Sequence, residues 1–244
     1  MAAALVWISG ASGGIGKALA ETVPWGGARV FGISRRRPEG AIEYLKADLA
    51  DPSVWPTIGA SFHREMEGFD GEHVAFIHAA STIDPTGFAA DVDSHAYLPN
   101  VLLNSASPQV LGQLFLAAAR SLDARRHLVM LTSGAARSVY PGWASYGAGK
   151  AALDQWVRNA GAEQDVRGGV QVLSVAPGTV DTAMQEKLRQ TPEADFPSRQ
   201  KFLDLHEQGN LSDPLHVAGQ IWALIDQGID NGLDNGSVID LRTR

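Results

Sequence analysis

Residues 4–16 read ALVWISGASGGIG, an uncharged run from Ala4 to Ser9 that passes straight into Gly10-Ala11-Ser12-Gly13-Gly14-Ile15-Gly16. A continuous apolar run of this length suits a strand buried on both faces. Lys17 to Thr22 carry on in a helix-like pattern, so Gly10, Gly14 and Gly16 fall at a strand-to-helix turn. Glycine lets that turn be tight and lets a pyrophosphate approach the backbone. The free N–H groups and the dipole at the helix start favour the anion. The loop, with Ser12 and Ile15 between its glycines, is a candidate dinucleotide cradle. Its plain structural alternative is a tight βα turn with close helix packing.

Similar short apolar runs recur at Arg29 to Ser34, Ile42 to Ala47, His73 to His78, His127 to Thr132, Val170 to Val175 and Ser237 to Leu241, with helical stretches between them. Strands alternating with helices predict an α/β fold, a doubly wound Rossmann-like parallel sheet with right-handed crossovers. No linker or repeat interrupts the pattern, so residues 1–244 are expected to form a single domain. The stretch 182–210 differs, with Pro192, Pro197, mixed charge and no clear strand, and it is expected to cover the substrate as a lid.

The 244 residues, 45% of them hydrophobic, suffice for a large core. A formal charge of -7 argues against a nucleic-acid partner. Without cysteine, and with seven scattered histidines, a metal site is not expected. The apolar start, Ala2 to Ile8, is too short to span a membrane and has neither a basic leader nor a cleavage signature, so a cytoplasmic, non-membrane protein is expected.

The second strand ends in Ser34-Arg35-Arg36-Arg37, where an NAD site usually presents an acid to the ribose hydroxyl. A guanidinium at Arg35 would pair with a 2′-phosphate, with Ser34 and Arg36 as secondary contacts, so NADP(H) is expected. A solvated basic turn is the alternative. After the third strand, Asp48 is a candidate for the adenine amino group and Leu49 for the ring face, while Asp51-Pro52 is the better helix cap.

Ser133 follows the fifth strand at the carboxyl edge where open α/β sheets build sites, and Tyr146 comes thirteen residues later. Tyr146-Gly-Ala-Gly-Lys150 opens a helical pattern, so the phenol and ammonium lie one turn apart on one face. At about 4 Å and an effective dielectric of about 20, a unit charge is worth on the order of 4 kcal/mol, enough to lower the phenol by roughly three pKa units. Tyr146 would then exchange a proton with a carbonyl oxygen, Ser133 would hydrogen-bond the same oxygen, and Lys150 would also hold the nicotinamide ribose. Singly, these residues are a helix tyrosine, a solvated lysine and a loop cap.

Through SGASGGIG at 9–16, Ser133, YGAGK at 146–150 and PGTVDT at 177–182, the chain resembles the short-chain dehydrogenase/reductase family over nearly its whole length. The resemblance implies a seven-stranded sheet, Ser-Tyr-Lys catalysis and a homodimer or homotetramer. It makes Asn104, rather than its rival Asn100, a fourth catalytic member holding a water beside Lys150. It also assigns Pro177, Gly178 and the Val180 backbone to the nicotinamide end and Thr182 to a cofactor phosphate or amide. The family's Asn-Ala-Gly after the fourth strand is here His78-Ala79-Ala80-Ser81. Ala79 and Ala80 are expected to line the cofactor and His78 to be structural.

The segments TSGAA at 132–136, YPGWASY at 140–146 and PGTVDTAMQ at 177–185 are similar to the sepiapterin reductase and benzil reductase branch. That implies reduction of a small ketone or vicinal diketone, with Trp143, Met184 and the region up to Leu205 as pocket walls. It leaves Asp240 as either a substrate-anchoring acid or a surface carboxylate. An alcohol dehydrogenase running the same chemistry in reverse and a non-catalytic dinucleotide sensor are the competing readings.

Overall fold

A computed structural model of the chain describes residues 3–228 and 232–243. The remaining positions of the unit expected over 1–244 lie outside the described residues. Seven parallel strands form one sheet: β1 (Ala4–Ser9), β2 (Arg29–Ser34), β3 (Glu43–Lys46), β4 (His73–His78), β5 (Arg125–Leu131), β6 (Gln171–Ala176) and β7 (Val238–Asp240), in the order β3-β2-β1-β4-β5-β6-β7. Three strands match the expected bounds. β3 and β7 are shorter than expected, β5 begins two residues earlier at Arg125, and β6 is shifted one residue on.

The helices are α1 (Gly14–Glu21), α2 (Trp55–Met66), α3 (Ser94–Val101), α4 (Ser107–Ala118), α5 (Ala144–Arg167), α6 (Ala183–Gln190), α7 (Arg199–Glu207) and α8 (Pro214–Gln227). Alternation along β1 sorts them into two layers. Val6 and Ile8 pack with Leu19 of α1 and with Val217 and Ile221 of α8. Leu5 and Trp7 pack with Ile58 and Phe62 of α2, Phe115 of α4 and Val157 of α5. All six residues of β1 are therefore buried, which is why the strand reads as unbroken apolar sequence. The order reverses between β1 and β4, and at such a switch point the loops on the carboxyl side diverge and leave a crevice.

The stretch 182–210 contributes α6 and α7. Leu188, Phe196 and Phe202 bury themselves against Trp143 and Tyr146 in a third hydrophobic cluster. The stretch expected to be a lid is thus ordered around a small core of its own.

Candidate active site

Two adjoining cavities open at the carboxyl edge of the sheet. The larger, about 580 Å³, runs along the loop from Gly10 to Gly16, past Ser34, Arg35, Arg36, Asp48 and Leu49, to Ala79, Ala80, Ser81, Thr182 and Met184. The turn needs its glycines. Gly10 has a φ of +72°, and a side chain there would sit 2.9 Å from Ala80 N; one at Gly16 would sit 2.4 Å from Gly10 O. The loop thereby brings the start of α1 against β1, and Gly14, Ile15 and Gly16 of its first turn line the cleft, at the helix end that favours an anion.

Among the described residues the Arg35 and Arg36 guanidinium groups, both exposed, have no ion pair. Ser34 lines the cleft and also has a structural bond. It is buried and donates its proton to Arg36 O at 2.6 Å, shaping the turn that presents the arginines. Asp48 accepts from Ala50 N at 3.1 Å and still lines the cleft, while Asp51 caps the following turn through Ser53 N. Ala79 and Ala80 donate their N–H groups to Ser9 Oγ, which fixes the loop after β4.

The second cavity, about 150 Å³, is walled by Ser133, Tyr146, Lys150, Trp143, Met184, Pro177, Gly178, Val180 and Thr182, and shares Ile15, Ala79 and Ser81 with the first. Trp143, Met184 and Phe202, the last within the region up to Leu205, line this cavity, while Leu205 itself packs against the third hydrophobic cluster. Thr182 caps α6 through Gln185 N and packs on Gly14. The bridge between Val180 and Ser212 runs through Thr179 O and Asp181 N, not through Val180's own peptide groups.

Tyr146 and Lys150 sit in the first two turns of α5, both buried, as their four-residue spacing requires. Their electrostatics differ from the sequence expectation. The ammonium is 5.8 Å from the phenol ring centre and donates to Leu131 O at 2.8 Å. Burial pushes the Tyr146 phenol up, and the hydrogen bond with Ser133 pulls it partly back. Burial likewise lowers Lys150 to about 8, against the attraction of Asp154 one turn along α5. Desolvation outweighs the pairing assumed from spacing alone.

Asn104 lies in a π turn, Leu102–Ala106, between α3 and α4, a distortion common at functional sites. Its Oδ1 accepts from Ser81 Oγ at 2.8 Å and Thr82 N at 3.1 Å, and its Nδ2 donates to Thr82 O at 2.7 Å and Asn100 Oδ1 at 3.0 Å. The amide is saturated, so a water held by this side chain would have to displace one of these partners. The rivals Asn104 and Asn100 work together, clamping the loop after β4.

Two residues at the site went unread in the sequence. Ser81 gives its proton to Asn104, so toward Tyr146 it acts as an acceptor, and Ser133, Tyr146, Ser81 and Asn104 form one chain. Its signal was the departure from glycine at this position. Asp154, buried and accepting from Ser174 Oγ at 2.8 Å, lies four residues after Lys150, a spacing that itself marks a helix neighbour. His78, expected to be structural, is buried outside the linings of both cavities, held to about 3 chiefly by burial, and 3.3 Å from Ser107 Oγ. Asp240 is neither a free surface acid nor a wall of the cavity; it sits between Arg242 and Arg137.

Among the described residues, no helix is long and apolar enough to cross a membrane, and no group of three or more metal-binding side chains occurs.

A family model for short chain dehydrogenases matches residues 4–193. A benzil reductase ((S)-benzoin forming) of Bacillus subtilis is 31% identical over 229 residues, covering 92% of this chain and 94% of the relative. A sepiapterin reductase of Xenopus tropicalis is 37% identical over 115 residues, 46% of this chain and 42% of the relative. The crystal structure of a short chain dehydrogenase/reductase from Saccharomyces cerevisiae superposes with a TM-score of 0.83 at 23% identity, over 97% of this chain and 95% of that one. With its sheet, its glycine loop and this family match in agreement, the chain belongs to the short chain dehydrogenase family of NAD(P)-dependent oxidoreductases.

Proposed function

We propose that this chain uses NADPH to reduce a small ketone or vicinal diketone to the alcohol, as one catalytic domain in which 182–210 covers the substrate. The observation that carries the reading is the buried Tyr146 phenol, hydrogen-bonded to Ser133 on a cavity that adjoins the glycine-loop cleft. The cleft of about 580 Å³ falls in the ordinary size range for cofactor sites. Its glycine loop, its two unpaired arginines and the absence of an acid at the end of β2 suit a dinucleotide bearing a 2′-phosphate. Benzil reductases among the relatives support the diketone class.

A reduced nicotinamide bound along the glycine loop would supply the hydride. Tyr146 gives its proton to the carbonyl oxygen as negative charge gathers there, and Ser133 steadies that oxygen with a hydrogen bond. A phenol raised by burial keeps its proton at neutral pH, which suits an acid in the reductive direction better than a base in the oxidative one. Lys150 would hold the nicotinamide ribose, and Ser81 and Asn104 would fix the phenol's other side. Thr182 and the Val180 peptide would complete the nicotinamide end. We place the protein in the cytosol as a homodimer or homotetramer by family pattern, with exposed Leu98 and Val101 on α3 as part of the contact.

Replacing Tyr146 with Phe tests the acid. Reduction of 1-phenyl-1,2-propanedione should fall by about 10²–10⁴-fold with NADPH binding retained. Near wild-type turnover would remove Tyr146 from the mechanism.

A further inference from the structure

The smaller cavity has a charge pattern that reduction of a neutral ketone does not need. Among the described residues its wall contains two charged side chains, Lys150 and Arg242, both cationic, and no carboxylate. Lys150 is buried on Leu131 O. Arg242 lies across the loop after β6: a side chain at Gly178 would meet its Cγ at 3.0 Å, and one at Gly134 would meet its Nη2 at 3.4 Å. The guanidinium therefore stands next to Gly134, the neighbour of Ser133.

Its surroundings concentrate positive charge and donors. Asp240 takes Nε at 2.9 Å and Nη2 at 2.6 Å but also faces Arg137 at 3.5 Å, so one carboxylate is shared by two guanidinium groups. Lys201 donates to Tyr140 Oη at 2.8 Å, which leaves the proton of this wall residue free for an acceptor. Trp143, in the same wall, has an Nε1 donor that is buried without a partner. A net cationic, donor-rich rim around a cavity about the size of one that holds a single benzene ring fits a small ligand with an apolar or aromatic end and an anionic end.

We propose that the substrate is an oxo acid, with its carboxylate close to the reacting carbonyl and seated by Arg242 while Ser133 and Tyr146 hold the carbonyl oxygen. The inference rests on the ketone-reductase reading and narrows it. The keto group becomes a secondary alcohol by gaining a hydride from the reduced nicotinamide and the Tyr146 proton, and the carboxylate is unchanged. Arg242 is a specificity residue in this scheme and does not move a proton.

The test compares benzoylformate with its methyl ester, which differ in the charge under study. The ester-to-acid ratio of KM should be about 10 for the wild type. It should fall to near 1 in Arg242→Met and recover in part in Arg242→Lys. A wild-type ratio at or below 1, or one that Arg242→Met leaves unchanged, overturns the proposal. Calorimetry on the wild-type protein loaded with oxidised dinucleotide gives an answer independent of turnover and of any variant's folding: the acid should bind about tenfold tighter than the ester, and equal binding overturns the proposal. If neither these compounds nor neutral diketones are reduced, the ketone-reductase reading fails and the calorimetry still decides the anion site. If only the neutral compounds are turned over, with no acid binding, the oxo-acid inference alone fails.

Discussion

Lys150 is held where the fold would be more stable without its charge. Burial depresses it from 10.5 to about 8, so at pH 7 the folded protein disfavours the protonated lysine by on the order of 3 kcal/mol. Replacing it with Met keeps the apolar stem and removes the charge, but it also removes the bond to Leu131 O, worth roughly 1–2 kcal/mol. The balance favours the variant by about 1–2 kcal/mol. For a chain of this size that raises the melting temperature by roughly 3–5 °C. The effect has a pH signature. Between about 8 and 10.5 the unfolded chain binds the proton that the folded one has shed, so wild-type stability rises with pH there. The advantage of Lys150→Met should be complete at pH 7, shrink above pH 8, vanish between about pH 9 and 10, and reverse by about 10.5, where mainly the lost bond to Leu131 O remains. Thermal unfolding without dinucleotide, followed by circular dichroism at several pH values, measures it. A variant that melts below the wild type at pH 7 would refute the reasoning, because Lys150 would then stabilise the fold.

Two further changes probe neighbouring parts of the site. Arg35→Ser should raise the KM for NADPH by about tenfold in steady-state assays while moving the KM for NADH less than twofold; equal changes for both would leave the turn a solvated one. Ser81→Ala removes the oxygen that accepts the Tyr146 proton and ties the phenol to Asn104. With the diketone, kcat/KM should therefore fall by about threefold to tenfold while the KM for NADPH moves less than twofold. An unchanged kcat/KM would detach Ser81 from the phenol.

The sheet was legible because its strands are buried on both faces, so β1, β2 and β4 announce themselves as apolar runs at their true bounds. β5 was read from His127, but its start was not, since Arg125 and Arg126 join the β4 ladder and the apolar pattern hides charged strand ends. The relative placement of Tyr146 and Lys150 followed from helical spacing, but their charge states depend on how much water the cap of α6 and α7 excludes, which spacing does not encode. Ser81 and Arg242 reach the site by long-range contact, from the ends of β4 and β7, and no local pattern connects either to Ser133. Lys187 shows the same limit: its ion pair with Asp84 ties α6 to the loop after β4, two segments far apart in the chain.

The account depends most directly on cofactor choice during ketone reduction. The decisive measurement is kcat/KM for NADPH and for NADH at saturating 1-phenyl-1,2-propanedione, read from the loss of reduced-nicotinamide absorbance by the wild-type protein. A preference for NADPH of about tenfold or more is the expected result. A clear preference for NADH, or no oxidation of either dinucleotide, would contradict it.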